Sequence, residues 1–376
     1  MRTKRSTKVV GSPVEKCAYA NQLGNDSAKM TFTGTASDGI RGISAMQLVS
    51  HGAGVLKSTA LLTHAIVGIA TITHGPGEES NYRADGNNYT IATTVESRIV
   101  QSNVVVVYRN GTRKTVHYGG RQNLLKSRGT DIAWVWHNGT GYTFPPSPQQ
   151  SNATPAAATT VTISIVAATS MSTPALSRDG YAYAPSDMQP LFTIGIDHPS
   201  PTAAATLPTS ASYIVVPGVA LGSMDSVAAN AADVVVVASS DSVHAVQDEK
   251  QQQLSAVFWK ASGGTVIFPS FSRTSTIIPA SALRVSTNRS IVLLASPINT
   301  ADGGTYYNVT VADPTNTAEG GTVYVTLHQQ HAGGASVGAG AGVGATPGCA
   351  KQVIWIQLPT GWSAGRSVTA ASVCAT

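Results

Sequence analysis

Two histidine motifs contain residue types that could do chemistry. Asp197-His198 pairs a carboxylate with an imidazole, as catalytic triads do, and His328-Gln-Gln-His331 offers two ligands for zinc. A triad also needs a nucleophile, and a zinc site needs a third and a fourth ligand, and the sequence offers no identifiable partners of either kind. We therefore expect His198 to be structural, and we expect no catalytic residue, no metal site and no cofactor.

Basic residues concentrate in one stretch of the chain and could bind a polyanion. The stretch contains Arg109, Arg113, Lys114, Arg121, Lys126 and Arg128. Guanidinium and ammonium groups pair with carboxylate and sulfate, so an acidic polysaccharide suits this charge as well as a nucleic acid does, with Arg113 and Lys114 as candidate contacts. No nucleic acid partner is expected, because no recognised nucleic-acid-binding module accompanies the charge. The alternative is that these residues are solvated strand faces and turns.

Two tryptophans offer a second candidate contact with a glycan. Trp134 and Trp136 alternate in the segment Ile-Ala-Trp-Val-Trp-His, so both rings point to one face of a strand. They either pack between two sheets or form a platform on which a sugar ring stacks. Phe258-Trp259, in contrast, is expected to lie in a core.

The composition excludes several classes of protein. Of 376 residues, 11% are charged and 42% are hydrophobic, and 24 Lys+Arg against 19 Asp+Glu give a net charge of +5. Soluble domains average about 25% charged residues, so the surface must rely on uncharged polar side chains. This balance argues against disorder and against a charged helical rod. The apolar runs are shorter than the ~18 residues of a membrane helix, so no membrane span is expected.

Short β-branched segments separated by turn residues predict an all-β fold. Asn110-Gly111 predicts a hairpin between residues 103–109 and 112–118, because Asn-Gly accepts the positive φ of a tight primed turn. Many short strands with polar turns favour sandwiches of antiparallel sheets. The further predicted strands are 132–137, 160–166, 213–216, 233–238, 265–268, 290–294, 306–312, 322–328 and 352–358.

Four segments lack a clear strand pattern. The apolar spacing in residues 42–64 also suits a helix, but Gly52 and Gly54 favour two short elements. Residues 226–232 predict one Ala-rich helical turn. The Pro/Gln/Ala-rich segment 147–159 predicts an exposed loop, and the Gly/Ala-rich segment 333–348 predicts a flexible insertion between two strands.

Sequons and cysteines bear on the cellular compartment. Seven Asn-x-Ser/Thr sequons suit surface turns of a secreted protein, although a Ser/Thr-rich chain also accumulates them by chance. The N-terminus lacks the apolar segment of a signal peptide, so a secreted origin implies a missing start. Cys349 and Cys374 could form a disulfide, which leaves Cys17 over. The candidate glycan attachment sites are Asn25, Asn88, Asn110, Asn138, Asn152, Asn288 and Asn308.

Several short motifs follow one another along the chain in a recognisable order. They lie at residues 10–15, 33–39, 42–48, 56–58, 66–69, 93–98, 136–144, 192–198, 212–218, 243–247, 258–259 and 311–315. Their order and spacing, from about residue 10 to 374, resemble polysaccharide lyase family 8, the hyaluronate, chondroitin and xanthan lyases. The sequence departs from the family pattern at residues 57–60, where Lys-Ser-Thr-Ala replaces Lys-Ser-Trp-Phe, and at 197–199, where Asp-His-Pro replaces Asp-His-Gly.

The resemblance implies a division of the chain into domains. A large antiparallel β super-sandwich at residues 12–232 is followed by a smaller C-terminal β-sandwich at residues 233–376, which carries the Gly/Ala-rich insertion 333–348. Residues 1–11 form a basic N-terminal segment.

The resemblance also implies that the catalytic residues lie outside this sequence. In the family, the Asn, His, Tyr and Arg of the β-elimination site belong to an N-terminal helical toroid. We therefore expect a non-catalytic, extracellular β portion that binds acidic polysaccharide of the hyaluronan, chondroitin or xanthan class. It would act as a lyase only with a helical catalytic half, on a missing segment or another chain. The alternative is a stand-alone extracellular carbohydrate-binding or adhesive protein.

Overall fold

The computed structural model describes the chain in fifteen ranges, and these are almost entirely β-strand. They confirm the predicted all-β fold class. Among these residues, no helix is long and apolar enough to cross a membrane. The described ranges are 28–38, 41–50, 54–62, 65–73, 91–117, 126–145, 160–166, 191–198, 209–230, 233–269, 282–299, 305–315, 321–330, 351–360 and 366–374.

The described ranges contain strands β1 to β24 and one α-helix. In chain order they are β1 (Ala28–Ser37), β2 (Gly42–Ser50), β3 (Gly54–Leu62), β4 (Ile66–Thr73), β5 (Ile91–Ile99), β6 (Val104–Tyr108), β7 (Arg113–Val116), β8 (Lys126–Gly129), β9 (Ile132–His137), β10 (Thr140–Thr143), β11 (Thr160–Val166), β12 (Leu191–His198), β13 (Thr209–Pro217), α1 (Met224–Asn230), β14 (Val234–Ser239), β15 (Val243–Asp248), β16 (Gln253–Phe258), β17 (Gly264–Phe268), β18 (Ala282–Thr287), β19 (Ile291–Asn299), β20 (Thr305–Ala312), β21 (Gly321–Gln330), β22 (Lys351–Leu358), β23 (Val368–Ala371) and β24 (Val373–Cys374).

The chain divides into two compact units that do not follow the chain order. The first unit combines residues 1–81, 203–210 and 232–376, and the second combines residues 82–202 and 211–231. The predicted domain boundary at residue 232 stays a prediction, because compact units need not coincide with domains.

In the first unit, two antiparallel sheets enclose the larger hydrophobic core. One sheet has the strand order β14-β15-β16-β19-β20-β23, and the other has the order β17-β18-β21-β22-β24. Alternate residues of β22 (Ile354, Ile356 and Leu358) point into this core, as period-two patterning requires. Trp259 is also buried, as predicted.

The six-stranded sheet of the first unit is covered on its other face as well. Every residue of β15 and β16 is buried. Strands β1 to β4, which pair antiparallel in chain order, contribute to this cover, since a Cβ on Gly34 of β1 would lie 2.8 Å from both Val292 Cγ2 and Pro314 Cβ. A sheet that is buried on both faces loses the alternation of apolar and polar residues. This is why the sequence pattern did not identify β15 and β16.

Within the segment 42–64, the described residues 42–50 and 54–62 form strands and not a helix. Strands β2 and β3 pair antiparallel over their whole length, from Gly42 opposite Leu62 to Ser50 opposite Gly54. The glycine break therefore separates two elements, as predicted. The predicted Ala-rich turn is confirmed as part of α1, which begins two residues earlier at Met224. Segments 147–159 and 333–348 lie outside the described residues.

In the second unit, two antiparallel sheets pack face to face. One includes the strand order β13-β10-β9-β6-β7, and the other has the order β5-β12-β11-β8. Their shared core contains Val104, Ile132, Tyr142, Ile163 and Phe192. Strands β9 and β11 have the bounds predicted from the sequence.

The two Asn-Gly turns of the second unit differ in conformation. At Asn138-Gly139, between β9 and β10, both residues have positive φ (46° and 74°), as a primed turn demands. At Asn110-Gly111 only the glycine has positive φ, at 83°. Asn110 Oδ1 accepts a hydrogen bond from Thr112 N at 2.9 Å, which stabilises a wider turn. The predicted β6–β7 hairpin is therefore confirmed, but its predicted primed turn is wrong.

A variant at Gly34 tests whether β1 packs against the six-stranded sheet. We expect Gly34→Ala to lower the free energy of unfolding by about 1–3 kcal/mol, because the added methyl group overlaps Val292 and Pro314. Urea unfolding followed by circular dichroism measures the change. The matched control is Gly42→Ala on β2, whose Cβ would meet no atom closer than 3.7 Å. Equal stability of the two variants would contradict the packing.

Candidate functional site

The two tryptophans of β9 lie on one face of the second unit, beneath α1. Trp134 is buried, and its Nε1 donates to Asp225 Oδ1 at 3.1 Å. Trp136 is half-buried, and its Nε1 donates to the carbonyl oxygen of Val219 at 2.8 Å. Both indoles therefore hold the segment before and within α1 against the sheet. The assignment of these residues to glycan contact stays a prediction.

A glycine lets α1 approach this face closely. A Cβ on Gly141 of β10 would overlap Met224 Sδ, and Met224 belongs to the same apolar cluster as Trp134 and Val219. The outer face of this sheet is thus a small secondary core.

Arg113 and Lys114, the two basic candidates, are both exposed but lie on opposite faces of β7. The guanidinium carbon of Arg113 lies 5.8 Å from the centroid of the Trp134 ring, a cation–π arrangement. The side chain of Lys114 points to the other face of β7. Val116 points to that face too and is buried in the core between the two sheets. The two residues therefore do not lie on one surface of the strand.

Other members of the basic stretch lie near the ends and edges of the sheets. Arg109 is exposed, and its Nη2 donates to the carbonyl oxygen of Phe144 at 2.9 Å. Arg128 is exposed on β8, which is an edge strand like β7. Arg121 and the side chain of Lys126 lie outside the described residues.

The first unit contains a buried polar cluster around His244, which the sequence motifs did not predict. His244 Nδ1 lies 2.8 Å from Thr59 Oγ1 of β3, and His244 Nε2 lies 2.8 Å from Thr71 Oγ1 of β4. Thr71 Oγ1 donates to Ser210 Oγ at 3.1 Å, so it accepts from Nε2–H. Because burial keeps the pKa of His244 far below neutrality, the imidazole is uncharged at neutral pH and its Nδ1 accepts a hydrogen bond from the Thr59 hydroxyl.

A lysine, an aspartate and a tryptophan complete this His244 cluster. Lys57 is 8% exposed, and its Nζ donates to the side chain and to the carbonyl oxygen of Asp241. Lys57 Nζ also lies 5.9 Å from the centroid of the Trp259 ring, whose edge-on contact with His244 has a centroid distance of 5.1 Å. The cation is therefore paired where it is buried, as a buried charge requires.

Burial lowers the pKa of His244 to about 3, and the positive charge of Lys57 lowers it further while the Asp241 carboxylate opposes the shift. An imidazole that is neutral, enclosed and bonded at both nitrogens cannot reach a polysaccharide. The cluster therefore holds β3 and β4 against β15, and His244 does not act as a general base. Thr59, one of the positions that depart from the family pattern, supplies one of the two bonds.

The second unit also contains buried or half-buried side chains of the types that act in acid–base catalysis. Tyr142 is buried, and its hydroxyl donates to Glu96 Oε2 at 2.6 Å. The buried His137 ring packs 4.7 Å from the centroid of Phe192. Burial raises the pKa of Tyr213, which disfavours its tyrosinate form. These groups have the residue types of acid–base catalysis but structural surroundings.

The histidine motifs singled out in the sequence are not brought together by the described residues. Asp197 and His198 end β12 as predicted, opposite Ala92 and Ile91, and their side chains are outside the description. His328 is exposed on β21 opposite Lys351, and His331 is outside the described residues. No group of three or more potential metal ligands is found within the described ranges.

Four of the seven sequons fall in described residues. Asn110, Asn138 and Asn288 are exposed in turns, which suits glycan attachment. Asn308 is half-buried in β20, where it pairs with Ser296 and Ala371 on the two neighbouring strands, which suits attachment least. Asn25, Asn88 and Asn152 are outside the description. Glycosylation stays a prediction at all seven.

The proposed disulfide also extends beyond the described residues. Cys374 lies on β24 opposite Gln352 of β22. Cys17 and Cys349 are outside the description, so the pairing of Cys349 with Cys374 stays a prediction.

Two packed sandwiches of antiparallel sheets define this protein as a member of the large class of all-β sandwich proteins. Comparison with family models narrows the class. The model of the polysaccharide lyase family 8 super-sandwich domain matches residues 5–228, and the model of that family's C-terminal beta-sandwich domain matches residues 235–322. The chain therefore belongs to polysaccharide lyase family 8, as the motif order indicated. A search of curated proteins finds no match.

Solved structures of polysaccharide lyases share this fold at low sequence identity. A chondroitinase AC lyase has a TM-score of 0.59 and 16% identity, over 95% of this chain and 43% of its own. A Paenibacillus xanthan lyase has a TM-score of 0.61 and 19% identity, over 96% of this chain and 30% of its own. The chondroitin AC lyase of Streptomyces coelicolor A3 has a TM-score of 0.54 and 16% identity, over 96% and 40%. The chain thus spans less than half the length of each, and the likeness concerns the fold alone.

The depressed pKa of His244 predicts a pH-dependent stability. The unfolded imidazole takes up a proton below about pH 6.5, whereas the folded one resists protonation until about pH 3. The contribution of His244 is therefore complete above pH 6.5 and is lost as the pH falls from 6.5 towards 3. The free energy of unfolding, measured with urea across this range, should decrease on acidification. The largest slope against pH that His244 can cause is that for the uptake of one proton on unfolding.

The variant His244→Gln should reduce this slope, because glutamine keeps a polar side chain but does not titrate. The exposed His117→Gln, in the second unit, is the matched control and keeps His244 intact. An unchanged slope in His244→Gln would contradict the assignment of the pH dependence to this cluster.

Proposed function

We propose that residues 1–376 are the β portion of a polysaccharide lyase family 8 protein that binds an acidic polysaccharide of the hyaluronan, chondroitin or xanthan class. In this proposal the chain supplies a scaffold and one wall of the polymer cleft, and residues outside this sequence supply the elimination chemistry. The match of both family domain models carries the proposal.

The burial of His137, His244 and Tyr142 supports a non-catalytic role for these three groups. Abstraction of a proton from a polysaccharide requires a base within hydrogen-bond reach of the substrate. His137 and His244 are enclosed, and the hydroxyl of Tyr142 is bonded to Glu96 inside the second unit. The exposed Arg113 and Lys114 can pair with carboxylate or sulfate, which supports a role in binding.

We also propose that the protein acts outside the cell, where the exposed turn sequons at Asn110, Asn138 and Asn288 would be accessible to glycosylation. An acidic polysaccharide as substrate is consistent with that location. If these turns carry glycans, the protein purified from the medium of cells that secrete it should lose mass on enzymatic deglycosylation.

The first prediction of this proposal concerns catalysis. The purified chain, incubated with hyaluronan, chondroitin sulfate and xanthan, should release no unsaturated uronate, because in this proposal the residues that carry out the elimination lie outside this sequence. Ultraviolet absorbance of the unsaturated product follows the reaction, with an active polysaccharide lyase as the positive control. Steady growth of the product from the chain alone would overturn the non-catalytic role.

The second prediction concerns binding by the basic edge strand of the second unit. Calorimetric titration with size-defined acidic oligosaccharides should show binding that weakens with salt. Arg113→Ala or Lys114→Ala, whichever removes the side chain on the face that the polymer contacts, should weaken it by about tenfold or less, the scale of one charge-assisted contact worth about 1 kcal/mol.

The single variants separate the two faces of β7, since only one of them should matter if the polymer contacts one face. Lys260→Ala, which removes an exposed lysine in the first unit, is the matched control. Binding that neither Arg113→Ala nor Lys114→Ala affects would remove this strand from the proposed contact surface.

A further inference from the structure

The outer face of the five-stranded sheet in the first unit exposes two large aromatic side chains. Trp355 of β22 is 71% exposed and Tyr324 of β21 is 46% exposed. The two are direct cross-strand partners, so their side chains stand next to each other. The other described tryptophans are buried or half-buried, which makes this pair exceptional in the described part of the chain.

Folding alone does not require aromatic residues at these two positions. The inward neighbours of Trp355 on β22 are Ile354 and Ile356, which are buried in the core, so Trp355 must face solvent. Gln357 has the same outward direction, and a polar residue satisfies that direction equally well. A large exposed indole in a strand centre therefore points to a ligand.

Hydroxyl and amide groups surround the aromatic pair. Thr322 Oγ1 donates to Gln357 Oε1 at 3.0 Å, beside Tyr324 and Trp355 on the same two strands. Thr265 and Ser286 hydroxyls lie 2.9 Å apart on β17 and β18. A face that combines exposed rings with hydrogen-bonding groups suits a sugar, which presents C–H groups on one face of its ring and hydroxyls at its edge.

A row of basic residues crosses the same face. Arg284 pairs with His328, and His328 pairs with Lys351, so the three stand side by side on β18, β21 and β22. All three are exposed. The five strands of this sheet contain no Asp or Glu. Arg284 and Lys351 therefore bring positive charge to the described part of this face, and this charge is complementary to a polyanion.

The two rows have a spacing that suits a polymer. His328 follows Tyr324 by four residues, and Lys351 precedes Trp355 by four, so the rows lie roughly 13 Å apart along the strands at ~3.3 Å per residue. A chain of several sugars that runs along the strands meets the aromatic pair with one ring and the basic row with a carboxylate or sulfate further along.

We propose that this face, formed by Tyr324, Trp355, Arg284, His328 and Lys351, is a binding surface for acidic polysaccharide on the C-terminal sandwich. The class of polymer rests on the proposed function, and the site itself rests on the exposed aromatic pair and the basic row. The like charges of the row oppose the pairing of this face with a second copy of itself.

The experiment uses the full chain and size-defined oligosaccharides of hyaluronan, chondroitin sulfate and xanthan, measured by calorimetric titration. Trp355→Ala should weaken binding about tenfold or more, and Trp355→Phe should restore most of the affinity, because a ring still stacks on the sugar. Arg284→Ala should weaken binding and reduce its dependence on salt. Both side chains are exposed, so unfolding midpoints should match that of the unmodified chain.

Ile298→Ala is the matched control, because it truncates an exposed apolar side chain on the other sheet of the same unit, 38% exposed. If the unmodified chain binds acidic oligosaccharides and Trp355→Ala and Arg284→Ala bind them equally well, this surface is overturned while the proposed function stands.

Two further outcomes overturn the proposal in other ways. If the unmodified chain binds none of the acidic oligosaccharides, the proposed function fails together with the choice of ligand. If it instead binds a neutral glucan, or if it forms a dimer that Trp355→Ala dissociates, the aromatic pair serves a different partner and the acidic polymer is excluded from this face.

Discussion

Burial of strands β15 and β16 on both faces is the constraint on which the first unit depends. These two strands exclude solvent, so a polar side chain that lies on them or packs against them is stabilised when it finds a partner inside the protein. His244 does so through Thr59 and Thr71, and Lys57 does so through Asp241 and the ring of Trp259. These contacts join strands that are far apart in the sequence, and they give the interface between layers a defined register that apolar packing alone would specify less tightly.

The sequence predicted the elements whose pattern is local, and it missed those whose pattern depends on distant strands. The bounds of β9 and the glycine break between β2 and β3 follow from alternation and turn residues. Strand β15 did not stand out, because burial on both faces removes its alternation. The partners of His244 lie 185 and 173 residues away, and single-sequence reasoning has no signal for such pairs.

The candidate binding residues show the same division. Alternation in β9 correctly placed Trp134 and Trp136 on one face, but only the fold shows that α1 covers that face. The exposure of Trp355 was in principle readable, since Ile354 and Ile356 flank it and must point inward. What the pattern could not provide was its cross-strand neighbour, because the pairing of Tyr324 with Trp355 depends on the register of two strands separated by residues 331–350.

Among the described strands, the short strand β7 lies at the edge of its sheet, and the backbone of an edge strand can serve as a template for strand addition by another polypeptide. Arg113 and Lys114 place one positive charge on each side of that template. A second molecule that approached edge to edge would bring its own pair of cations against these, whichever face it offered. The opposite orientation of the two side chains therefore protects the protein from self-association into extended sheets, independently of any ligand that they bind.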